Sequence, residues 1–124
     1  MYVATVIVLL VTAAANIGMA VADIARARFV LANSAEVGVP EAWLPGLAAL
    51  KGAGGIGLLL WFAGLPVLPI LAAAGLVCFF LGAVGAHIRS GVLYNIAFPG
   101  AYLALAAASL TLLVMAGGWD AVAG

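Results

Sequence analysis

The sequence predicts an all-α integral membrane protein, a four-transmembrane-helix bundle with a short interfacial segment between the first and second crossings. Three observations lead there. Hydrophobic residues fill 69% of the 124 positions and charged ones 6%, far below the roughly 25% charged content of a soluble domain. Mean hydropathy is +1.37. The apolar residues fall into four stretches, each near the ~20 residues that a helix rising ~1.5 Å per residue needs to cross a ~30 Å hydrocarbon core. A soluble globule is excluded, and so is a disordered chain, whose composition is the reverse of this one.

The first crossing covers about residues 2–22, with Asn16 its only strongly polar side chain and Thr5 and Thr12 able to bond back to helix carbonyls. It ends at Asp23, Arg26 and Arg28. A cleaved signal peptide is the rival reading, but no basic segment precedes the apolar run. Residues 25–43 mix charged, small and apolar side chains before Gly38, Pro40 and Glu41, which suits a short interfacial helix and a turn. The second crossing is expected over about 42–63, with Trp43 and Trp61 at the levels of the two aromatic belts. From Gly52 to Ala86 no Lys, Arg, Asp, Glu or His occurs, a run too long for one helix of ordinary tilt. Gly64, Pro66 and Pro69 break it, since Gly caps a helix end and Pro fits the first turn of the next helix. The third crossing, about 67–87, closes on His87, Ile88, Arg89, Ser90 and Gly91. The fourth covers about 93–116, with Pro99 early enough to permit a kink, and is followed by Gly117, Gly118, Trp119 and Asp120. The chain, 1–124, reads as one transmembrane domain.

Arg26, Arg28 and Arg89 share one side of the membrane, while the turn near Pro66 and both termini lack Lys and Arg. Cytoplasmic loops are enriched in basic residues, so both termini are expected outside the cytoplasm. Small residues mark helix contacts in lipid. Ala48, Gly52 and Gly55, with Ala53 and Gly57 beside them, and Gly75 with Gly82, place the tightest packing between the second and third crossings. Ala22, Asp23, Ile24 and Arg26 resemble Ala86, His87, Ile88 and Arg89, a short hint of two related helix hairpins.

Ionisable residues inside a membrane are costly and mark candidate sites. Lys51 lies about two turns inside the second crossing. It is either a snorkelling lysine paired with Asp23 or Glu41, or a cation for a lipid phosphate, a carboxylate or a quinone carbonyl. Asn16 and Asp23 share one face of the first crossing. His87 is at the level of Asp23, within expected hydrogen-bonding reach, and Tyr94 and Asn95 begin the fourth crossing nearby. Together with Arg89 these residues outline a polar pocket open to the cytoplasmic interface, in a protein whose outer half is expected to be almost purely apolar. The alternative is a polar lock that fixes helix register.

Several chemistries fail on inventory. Four Lys/Arg balance four Asp/Glu, which leaves no basic face for nucleic acid. The lone Cys78 excludes an intrachain disulfide, a CxxC pair and a Cys-built metal site, and it reads as inert filler in mid-helix. A haem held by two histidines needs a second chain, because this one has a single His. No nucleophile elbow surrounds Ser90 or Ser109. Conduction lacks a relay through the outer half.

Gly38, Val39, Pro40, Glu41, Ala42, Trp43, Leu44 and Pro45, then Leu50 to Leu58 (LKGAGGIGL), then Ala74, Gly75 and Leu76, Gly82 and Ala83, and the ending Ala86, His87, Ile88 and Arg89 resemble the DoxX-like family of small bacterial membrane proteins. The likeness spans nearly the whole chain. It implies a four-helix protein of the cell inner (plasma) membrane, with Lys51, His87 and Arg89 at family-like positions. The wider group includes subunits linked to quinol oxidation and thiosulfate:quinone oxidoreduction and is similar to a eukaryotic chaperone of nicotinic receptor assembly; none of these activities rests on a motif matched here. The expectation is a non-catalytic accessory or assembly subunit, more an interaction protein than an enzyme, with no metal and no cofactor other than a quinone or lipid in the pocket. Its expected partners are membrane lipid and a membrane protein or a second copy. A quinone-linked oxidoreductase subunit using His87 and Asp23, and a purely structural homo-oligomer, are the alternatives.

Overall fold

Four apolar helices of 23, 23, 22 and 21 residues dominate the computed structural model, which describes residues 2–118. Helix α1 spans Tyr2–Ile24 and a short α2 spans Arg28–Glu36. A turn at Glu41–Trp43 leads into α3, Leu44–Leu59, which tightens into a last turn at Leu60–Ala63. Helix α4 spans Leu68–Arg89, and α5 spans Ala97–Leu113 with a widened final turn to Gly118. The third crossing thus runs two residues beyond its expected end, and the fourth begins later than residue 93 because 92–93 are irregular and 94–96 form a turn. Pro99 falls on the third residue of α5, where no intrahelical N–H is required. Trp119 and Asp120 lie outside the described residues.

The helix ends follow a common local rule. At α1 the Ala27 N–H donates to the Ala22 carbonyl (3.1 Å) and the Arg26 N–H to the Asp23 carbonyl (3.1 Å), the paired bonds of a Schellman cap. The same pair closes α2 at Gly38, the last turn after α3 at Gly64 and α4 at Gly91. Each of these residues has positive φ, and Arg26, at 56°, is the one that is not glycine. Its left-handed backbone costs about 1–2 kcal/mol. An ion pair from its guanidinium to Glu41 helps hold that turn.

The four spanning helices form a ring in which α1 packs on α3, α3 on α4, α4 on α5, and α5 on α1. Leu9, Ala13, Leu58, Leu76, Phe80, Ala106 and Leu113 fill its centre. Large apolar side chains such as Ile7, Val11, Leu50, Ile56, Leu71 and Leu81 face outward, as lipid contact requires. Trp61 meets Tyr2 at 5.8 Å, so the start of α1 lies beside the end of the second crossing.

The expected tight packing of the second crossing on the third is present, since a Cβ at Gly57 would meet Ala72 at 2.5 Å on α4. The most extensive contact joins α1 to α3, ahead of α3 with α4. The glycines of α3 serve both neighbours: a Cβ at Gly55 would meet Ile17 at 2.8 Å and the Ala13 carbonyl at 3.1 Å on α1, while one at Gly54 would meet Leu76 at 2.5 Å on α4. Gly75 and Gly82 have open space around them and pack on nothing. The half of the bundle away from the arginines is also more polar than expected. Thr12 donates to the Val8 carbonyl (2.7 Å) and accepts from the Ser109 hydroxyl (3.1 Å), a buried link between α1 and α5, and Thr5 is buried further along α1.

Candidate functional site

Asp23 is the penultimate residue of α1 and Lys51 lies midway along α3, so the α1–α3 contact brings opposite charges together below the arginine-bearing end. Lys51 Nζ is 2.6 Å from Asp23 Oδ2, and both residues are buried. The approach is off the axis of a hydrogen bond, so the attraction is chiefly coulombic. Of the two expected partners of Lys51, Asp23 is the one it meets; Glu41 is taken by Arg26. The ammonium also stands 5.6 Å from the centre of the Phe79 ring, a cation–π contact that offsets part of its desolvation.

His87, 3% exposed, sits in the last turn of α4. Its Nδ1 donates to the Ala83 carbonyl at 3.0 Å, and its Nε2 is buried without a protein partner. The expected bond to Asp23 does not form; Asp23 Oδ2 faces Lys51, and the His87 Nδ1 proton goes to the helix carbonyl four residues back.

Asp23, Lys51 and His87 share a cavity of about 450 Å3 with Tyr94 and Asn95. Its walls are apolar and aromatic, from Leu44 and Leu47 on α3, Phe79, Phe80 and Ala83 on α4, and Phe98 and Tyr102 on α5. Helix α2 roofs it with Phe29, Val30, Asn33, Ser34 and Glu36. Three bonds tie that roof to the connection after α4. The Ser90 hydroxyl donates to the Val37 carbonyl (2.9 Å), Tyr94 to the Glu36 carboxylate (2.6 Å), and Asn95 Nδ2 to Asn33 Oδ1 (3.2 Å). The Glu36 carboxylate accepts the hydrogen bond of the Tyr94 hydroxyl and so raises that phenol above its ordinary value of 10.0. Asn95 Oδ1 is buried with no protein partner.

Two expected pocket residues lie elsewhere. Asn16, fully buried, donates from Nδ2 to the Thr12 carbonyl (2.9 Å) and does not reach the cavity. Arg89 is exposed at the end of α4 and lines nothing. The aromatic walls and the α2 side chains were not read from the sequence as site residues. Spacing carries no signal for them, because the bonds that fix α2 join residues 53 to 62 positions apart. Among the described residues no three His, Cys, Asp or Glu side chains gather to hold a metal ion. Cys78 is exposed on α4, outside the cavity that α2 covers.

The family model described as DoxX-like matches residues 7–109, which takes in the second and third spans, the roofing helix and most of the first and fourth spans. The chain belongs to the DoxX-like family. That membership and the four long apolar helices make it a multi-pass membrane protein. No curated protein and no solved structure matches it. In this DoxX-like protein the cavity is bounded by α1 to α5, so its shape depends on the whole fold rather than on one local motif.

Proposed function

We propose that this DoxX-like protein is a non-catalytic accessory or assembly subunit of the cell inner membrane whose α2-roofed cavity holds a lipid or quinone-like amphiphile. One observation supports the reading best: a cavity of about 450 Å3 combines aromatic walls with a small group of converging polar side chains, the usual make-up of a small-molecule site. An amphiphile suits it because tail and head would each find matching surface. The Asp23–Lys51 pair links α1 to α3 and lines the cavity, which supports a part for it both in packing and in the polar floor. Under the same reading the loops at 25–43 and 90–96 face the cytoplasm, following the arginines.

Native mass spectrometry of protein released from a mild detergent tests this, with wild type beside Ala83→Phe, which places a ring in the cavity. Wild type is expected to retain one amphiphile per chain and the variant to lose it. Equal retention by both would place the molecule on the outer surface and remove the cavity from the account.

A further inference from the structure

The polar groups of the cavity differ in what they still have to offer. Lys51 is the one Lys or Arg that lines it among the described residues, and Asp23 neutralises that charge at 2.6 Å. Glu36 at the roof adds a negative charge and is held by Tyr94. No unpaired cation therefore remains for a phosphate or carboxylate head. The unspent groups are acceptors: with Nδ1 donating to Ala83, the neutral His87 ring carries its lone pair on Nε2, which is buried and without a protein partner, as is Asn95 Oδ1. A buried acceptor left unpaired is costly, so the site favours a ligand that brings a donor.

We infer that the cavity selects a neutral amphiphile whose head carries a hydroxyl, recognised by donation of its O–H to His87 Nε2. This rests on the amphiphile reading above and adds the chemistry of the head. A carbonyl head has no proton to give. An ammonium head has, but its charge would be buried with no free carboxylate to meet it, since Asp23 is paired with Lys51 and Glu36 is held at the exposed roof by Tyr94. A hydroxyl donates to His87 Nε2 without bringing a charge into the cavity.

The test uses the full chain in nanodiscs of zwitterionic phospholipid, with para-dodecylphenol and its methyl ether as a matched pair with and without the O–H. The chain has one His, so isotope-labelled histidine gives a single Nε2 resonance, and the methyls of Val37 and Ala83 report on the cavity itself. The phenol is expected to move the Nε2 resonance saturably and to bind about tenfold or more tighter than the ether. His87→Phe should abolish that preference, and His87→Gln, which keeps an acceptor, should retain part of it. If both compounds shift the cavity methyls equally and leave Nε2 unmoved, the head assignment is overturned while the amphiphile site stands. If neither shifts the methyls, both fail. Tighter binding of dodecylammonium or dodecanoate than of the phenol would also overturn the hydroxyl.

Discussion

Lys51 and Asp23 show how a residue-level cost can hold a membrane fold together. Each charge alone would be strongly unfavourable in the buried interior, and each is tolerated because the other is 2.6 Å away. Lys51→Met or Asp23→Leu singly is expected to destabilise the protein by about 3–5 kcal/mol, since each leaves one unpaired buried charge. The double variant should cost much less than the sum, and a double-mutant cycle of unfolding in micelles measures this. Additive losses would mean that the pair is not coupled. Glycine gives a second residue-scale expectation. Gly55→Ala pushes a methyl against the Ala13 carbonyl, a backbone atom that cannot rotate away, whereas Gly52→Ala meets Ala20 at an ordinary 3.6 Å. The first should cost about 1–3 kcal/mol and the second little, read from the same unfolding curves. The sequence pointed to Lys51 because charge inside an apolar run stands out. It did not separate the glycines, since helical spacing shows that small residues share a face but not which neighbour that face meets.

At the scale of elements, α2 decides whether the cavity is a site or an open notch. It has no side-chain N-cap, so its own propensity contributes little, and buried Val30, Ser34 and the adjoining Val37 hold it from below. The bonds from Ser90, Tyr94 and Asn95 secure its far end. Tyr94→Phe removes one of them and should speed amide hydrogen exchange in 28–36 while leaving α1 unchanged. The pH dependence has a definite sign. Because Glu36 raises the Tyr94 pKa above 10.0, the latch is present at neutral pH and is lost as pH rises through that raised value. Ultraviolet titration of wild type against Tyr94→Phe should show this phenol ionising above the range of an ordinary tyrosine. A short helix in 25–43 was legible from the mixed composition there. Its role as a roof was not, because that role comes from residues on the far side of α3 and α4 in the sequence.

For the whole molecule, the four crossings were legible because length and hydropathy are summed over some twenty residues and tolerate local ambiguity. The order of neighbours around the ring was less so. The stripe at Gly75 and Gly82 looked like a contact face, yet both glycines lie in open space, and the buried Thr12–Ser109 bond was hidden inside apolar runs. Charge bias gives the orientation, and it predicts that cysteines placed at exposed positions 35 and 93, in a chain with Cys78 replaced, are shielded from impermeant thiol reagents in intact cells. A cysteine at 65 should be labelled. The central claim is that an amphiphile occupies the space beneath α2. The most direct measurement is the set of intermolecular nuclear Overhauser contacts between a bound para-dodecylphenol and methyl-labelled protein in nanodiscs. The account predicts contacts to Val37, Leu47 and Ala83, which line the cavity. Contacts confined to outward-facing Ile7, Val11 and Leu81 would contradict it.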